Sequence, residues 1–153
     1  VSKKALGLFE ALHESHEAQR DLCTALLAAE TSLGERANVF AQLKVELAAH
    51  AAAEERYVYV PILMSDAGLW SSRHALAEHH TIEELVEDLS VHNKKGAAWL
   101  NRARLLDESV RHHLKEEERK FFKVAGRILT DRNKRKLAKD YVREIDRMRI
   151  RLS

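Results

Sequence analysis

Apolar residues recur along this chain at intervals of three and four over long stretches, and nowhere alternate with polar ones over strand length. The pattern predicts a first helix from about Lys3 to Ala29, with Leu8, Phe9, Leu12, Cys23, Leu26 and Leu27 on its apolar face. Thr31-Ser32-Leu33-Gly34 breaks it. A second helix follows from about Glu35 to Met64, strained or ended near Pro61. After a turn at Asp66-Ala67-Gly68, a third runs from about Ser71 to His92 and closes through Asn93-Lys94-Lys95-Gly96. The fourth spans about Ala97 to Leu129, and Thr130 or Asp131 caps a fifth that ends near Arg149. Four long helices on short connections imply an all-α, antiparallel up-down-up-down bundle over residues 1–130. Residues 131–153 form an additional C-terminal helix, expected to pack outside through Leu137, Tyr141, Ile145 and Met148.

Two of these stripes nearly repeat one another. Leu43, Leu47, His50, Glu54, Glu55 and Val58 recur as Leu106, Val110, His113, Glu117, Glu118 and Phe121. Each set places apolar residues seven and three before a histidine, carboxylates four and five after it, and an apolar residue eight after. On a helix the offsets −7, −3, +4 and +8 share one face, the face that normally meets a core. A histidine and a glutamate there need something to neutralise them.

The spacing alone does not select the site, because seven of the nine histidines have a glutamate four residues on. Solvated helical pairs of that kind contribute only a few tenths of a kcal/mol. Phase separates them. His13, His74, His80, His92 and His112 have polar neighbours along their stripes or sit at a helix end, and are expected at the surface. His16, His50, His79 and His113 lie on apolar stripes, one for each bundle helix. Glu54 and Glu117 share the inward face, about 40° round and 6 Å along the helix from their histidines; Glu55 and Glu118, about 140° round, do not. Two uncompensated carboxylates in a dry core would cost several kcal/mol each. Four imidazoles and two carboxylates without thiolate suit two carboxylate-bridged first-row metal ions, iron first, with manganese or zinc as alternatives. Magnesium or calcium would want more oxygen donors.

Composition adds limits. The chain of 153 residues holds five Gly and one Pro, is 45% hydrophobic and 33% charged, and suits a folded helical domain. No apolar run approaches the roughly 20 residues of a membrane helix, so membrane insertion is not expected. The opening residues are too weakly apolar for a secretory signal. A single cysteine, Cys23, excludes an intramolecular disulfide and points to a reducing, cytoplasmic setting. The net charge of +2 hides an asymmetry: residues 131–153 carry nine Lys/Arg against four Asp/Glu. That basic helix could meet an anionic partner, but its apolar stripe favours a covering helix or a homodimer contact. No phosphate loop, Ser/His/Asp arrangement or nucleic-acid motif is present. Cys23 reads as core, Trp70 and Trp99 as packing at the bundle ends, and Tyr57 and Tyr59 as end packing or as a hydrogen-bond donor to the site.

The stretches "LKVELAAHAAAEERYVYVPIL", "AEHHTIEELVEDL" and "VRHHLKEEERKFF" resemble the hemerythrin-like HHE cation-binding family. Its pattern, a histidine, His-x-x-x-Glu, a histidine and His-x-x-x-Glu on successive helices, reads here His16, His50/Glu54, His79 and His113/Glu117. The resemblance covers roughly residues 3–129. It implies a non-haem di-iron centre with an oxo or hydroxo bridge, Glu54 and Glu117 bridging, His16 and His50 on one iron, His79 and His113 on the other. The chain departs from oxygen-carrying hemerythrins in two places. Ala75 stands where they have a second histidine on helix three, and Glu117 and Glu118 stand where they use an aspartate. Glu83, or else His80, is the candidate for the missing ligand. A less saturated centre turns the expectation from reversible oxygen carriage to binding of, or reaction with, O2, NO or peroxide in sensing or stress defence, with an unknown redox partner. A peroxidase- or catalase-like enzyme, an iron storage module and a metal-free structural bundle are the alternatives. Storage sites use Glu-x-x-His on two helices, and this chain has one, Glu10/His13, off the stripe.

Overall fold

The computed structural model describes residues 6–28 and 32–153. The described part of the first helix is α1 (Leu8–Leu26); the expected start at Lys3, the end at Ala29 and the break at Thr31 lie outside the described residues. Ser32 caps the second helix, accepting from the Glu35 amide while the Glu35 carboxylate accepts from the Ser32 amide. This reciprocal cap lets α2 (Leu33–Glu54) begin at Leu33, inside the expected break. α2 then widens into a π turn (Glu55–Tyr59), with the Val60 amide bonded to the Glu55 carbonyl, and continues as α3 (Val60–Leu63). Pro61 falls in the first turn of α3, where a missing amide costs nothing. A 3-10 turn at Asp66–Gly68 leads to α4 (Leu69–Val91). Gly68 permits the close return: a Cβ there would lie 2.4 Å from the Ile62 carbonyl oxygen. Gly96, at φ 96°, serves as the N-cap of α5 rather than the C-cap of α4. α5 (Ala97–Glu116) repeats the design of α2, passing through a π turn (Glu117–Phe121) into α6 (Phe122–Ile128). Thr130 caps α7 (Asp131–Leu152) by accepting from the Asn133 amide.

α1 packs on α2 and α5, and α4 packs on α5, while the neighbouring helices α2 and α4 make little contact. The apolar interior divides in two. One part gathers Leu8, Leu12, Ala53, Tyr59, Phe121 and Tyr141; the other gathers Cys23, Leu26, Leu43, Leu89, Trp99 and Leu106. His16, His50, His79 and His113 fall between the two parts along their helices, so a polar layer crosses the bundle.

α7 lies along α2 and α1, burying Leu137, Tyr141 and Ile145 as the stripe predicted, with Met148 partly buried. It does more than cover. Arg149 makes two hydrogen bonds to buried Glu46, at 2.6 and 2.9 Å, and Ser15 donates to the same carboxylate at 2.8 Å. Trp99 packs as expected, its indole N–H donating to the Leu89 carbonyl. Trp70 does not: its side chain is 73% exposed and stacks on His74, because it begins α4 on the outward face.

Candidate metal centre

Helical phase separates the nine histidines as expected. His13, His74, His80, His92 and His112 are exposed; His16, His50, His79 and His113 are buried. Glu54 and Glu117 are buried with them. His16 and His79 stand mid-helix on α1 and α4, while Glu54 ends α2 and Glu117 begins the π turn after α5.

Six side chains converge in two overlapping sets. Donor atoms of His16, His50, Glu54 and Glu117 lie within 4.8 Å of one another, as do those of Glu54, His79, His113 and Glu117. Both carboxylates belong to both sets. Glu54 Oε1 lies 3.1 Å from His50 Nε2 and 3.3 Å from His79 Nε2. Glu117 directs Oε1 to His16 Nε2 at 3.2 Å and Oε2 to His113 Nε2 at 3.5 Å. His79 Nε2 and His113 Nε2 are 3.0 Å apart.

The outer ring nitrogens are fully engaged. The Nδ1–H groups of His16, His79 and His113 donate to Glu118 at 2.8 Å, Glu55 at 3.0 Å and Glu78 at 3.1 Å. His50 Nδ1 meets the Tyr141 hydroxyl at 2.8 Å. Ionised carboxylates only accept, so three of the four imidazoles are fixed with the proton outside and Nε2 facing the centre. This is the outer hydrogen bonding that orients metal-ligating histidines. Arg20 in turn holds Glu118 at 2.7 Å.

Several atoms at the centre have no hydrogen-bond partner among the described residues: His16 Nε2, His50 Nε2, both oxygens of Glu54 and Glu117 Oε1. Buried polar atoms are normally satisfied. A run of orphans pointing at one another is what a metal site looks like without its ion, and the set of imidazole and carboxylate donors fits a first-row cation.

Electrostatics support the same reading. Burial, the largest influence on His16, favours its neutral form, but the adjacent carboxylates of Glu117 and Glu118 together raise its pKa to about 9. His79 rises to about 10 in the same way, through Glu54 and Glu55. Burial pulls the Glu54 carboxyl up, yet His50, His79 and their charge bring it well below the usual range. Glu118 falls to about 2: burial opposes, and His16 and Arg20 prevail. Both histidine values exceed the roughly 6.5 of an unfolded imidazole. The stabilisation they give the metal-free chain is therefore complete below about 6.5 and lost as pH climbs through 9 and 10. The thermal midpoint of metal-free protein is expected to drop across that window, and a midpoint as high at the alkaline end as at neutrality contradicts the assignment.

Glu83 is not brought to the centre. One turn beyond His79 but about 40° further round, it is exposed and faces the mouth of a cavity. His80, the other candidate, is exposed and paired with Glu84 at 2.9 Å. Tyr59 comes in instead. Nine residues after His50 it would face away on a regular helix, but the π turn inserts a residue and drops its phase by about 100°. Its hydroxyl lies 3.2 Å from His79 Nε2 and donates a short hydrogen bond to Glu117.

The four Nδ1 partners escaped the sequence reading, which weighed Glu55 and Glu118 only as ligands. The doubled glutamate in each repeat was the available signal. In both motifs the first carboxylate enters the centre, and the second supports a histidine on a neighbouring helix. Glu78, directly before His79, and Tyr141 carry no comparable mark.

The family model of the hemerythrin HHE cation binding domain matches residues 7–125. A crystal structure of a hemerythrin HHE cation binding domain-containing protein from Mycobacterium kansasii is similar at a TM-score of 0.85 and 20% sequence identity, covering 95% of this chain and 89% of that one. At that identity the likeness carries the fold alone. None of the curated proteins matches the chain.

Proposed function

This chain belongs to the hemerythrin HHE cation-binding family, and on that premise we propose that it holds a carboxylate-bridged pair of iron ions that bind or react with O2, NO or peroxide. The observation that carries the reading is the sharing of Glu54 and Glu117 between two donor sets. One set has His16 and His50 as its imidazoles, the other His79 and His113. Manganese or zinc fits the same donors less specifically.

When bound, an iron pair supplies one-electron exchange with a small diatomic or peroxide. The chain's own groups prepare the place for it. Glu118, Glu55, Glu78 and Tyr141 hold the four rings so that each Nε2 faces inward. The apolar layers above and below restrict solvent. Tyr59 holds a proton beside the centre: burial first, then the Glu117 and Glu54 carboxylates, keep its hydroxyl protonated. That O–H, donated to Glu117, could turn to an incoming oxygen atom.

Sensing or stress defence follows from a centre with fewer imidazoles than an oxygen carrier; Ala75, where the further histidine would stand, is buried in the apolar layer with Tyr59. No helix among the described residues is long and apolar enough to cross a membrane.

Anaerobic reconstitution with ferrous iron followed by exposure to air tests the centre. Two irons per chain with near-ultraviolet absorption from a bridged ferric pair are expected. Less than about half an iron per chain would sink the reading, since a preformed site of this donor strength should fill at micromolar metal. Peroxide turnover by the loaded protein then separates an enzyme from a binding protein.

A further inference from the structure

A cavity of about 420 Å3 opens between the neighbouring helices α2 and α4, which make little contact with each other. It exists because α2 presents Ala51 and Ala52 where α4 presents Ile82 and Val86; the alanine side chains are too short to close the gap. His50, His79 and His113 form its inner wall. A diatomic or peroxide needs little more than water's share of roughly 30 Å3, while about 150 Å3 already accepts benzene. The cavity falls in the roughly 300–1,000 Å3 range of organic-ligand sites.

Its chemistry is graded. Leu47, Ala51, Ala52, Ile82 and Val86 make apolar walls, and Lys44, Glu83 and Glu87 stand at the mouth. Lys44 Nζ donates to Ser90 Oγ at 3.2 Å, a neutral partner that leaves its positive charge at the mouth. Glu83 and Glu87, one turn apart on α4, have no ion-pair partner among the described residues. Like charges at that spacing repel, and two carboxylates against the one ammonium of Lys44 leave the mouth net negative.

We propose that this cavity binds an organic amine, its apolar body between α2 and α4 and its ammonium between Glu83 and Glu87. The site goes beyond cation binding and needs no metal to form. Only its consequence, that the apolar end of the bound amine lies against the imidazoles of a metal centre, rests on the function proposed above. Glu83 thereby has a role at the mouth instead of at the centre.

Calorimetric titration of the full chain, metal-free and iron-loaded, with phenylbutylamine, phenylbutanol and phenylbutyrate tests this. The amine is expected to bind saturably, one per chain, about tenfold tighter than the alcohol, with the carboxylate weakest. The double variant Glu83→Gln/Glu87→Gln should bring the amine down to the alcohol. Ala51→Leu and, separately, Ala52→Leu fill the cavity and should each weaken amine and alcohol by more than about tenfold in protein whose helicity is unchanged. Absence of saturable binding of any probe, tightest binding of the carboxylate, or full amine affinity in either folded leucine variant overturns the proposal. Iron content of the same samples keeps the two readings apart: a chain that loads iron but binds no amine refutes only this one. A chain that binds the amine but loads no iron refutes only the metal centre.

Discussion

Glu54→Ala is expected to abolish iron loading at both positions, whereas His16→Ala should weaken one and leave the other. Glu54 is fully buried, both its oxygens lack hydrogen-bond partners among the described residues, and it stands in both donor sets. In the proposed centre its removal would take an anionic oxygen from both donor sets. His16 belongs to only one of the two inner sets and contributes one nitrogen. Metal-free Glu54→Ala should also be less stable, because the carboxylate answers the charge on His79. Stripping one partner from a buried pair costs about 3–5 kcal/mol, reduced here to the extent that His79 sheds its proton. Iron per chain and the rise in thermal midpoint on iron addition are the measurements. Two irons per chain in Glu54→Ala would refute the shared carboxylate.

Tyr141→Phe is expected to weaken metal binding at the His16/His50 position by about 10–100-fold, the usual loss when an outer partner of a ligand histidine is removed. Tyr141 is the sole hydrogen-bond partner of His50 Nδ1 among the described residues, at 2.8 Å, and both side chains are buried. Its burial, helped by the Glu54 charge, keeps the phenol neutral, so the group works as an oriented hydroxyl. The substitution keeps the ring, leaving the packing of α7 intact. Arg149→Ala is the control. It leaves buried Glu46 with Ser15 alone, which should cost about 1–3 kcal/mol of stability without touching a ligand histidine. Metal competition assays with a chelator, run beside thermal melts, distinguish the two. If Tyr141→Phe lowers the melting midpoint but not metal affinity, α7 only covers the bundle.

This role of α7 was half legible in the sequence. Its stripe of Leu137, Tyr141, Ile145 and Met148 marks a buried face, but a stripe says only that a residue is inside. The same limit applied to Trp70, expected to pack at a bundle end and found exposed. It applied also to Glu83, whose spacing from His79 matched that of Glu54 from His50. Glu83 extends past the edge of the inner face, towards the gap that the α2 alanines leave, and there it meets solvent.

What the sequence determined alone is the set of helices and the inward group of four histidines and two glutamates. Both follow from local geometry, since a period of 3.6 residues assigns each position to a face before any helix meets another. Only the tertiary structure decided which carboxylate meets which Nδ1, that π turns follow Glu54 and begin at Glu117, and that Tyr59 turns inward. It alone decided that α2 and α4 stand apart. These depend on where one helix stands against its neighbours, and a shift of a single residue or a few ångströms changes every such pairing while leaving the hydrophobic pattern untouched.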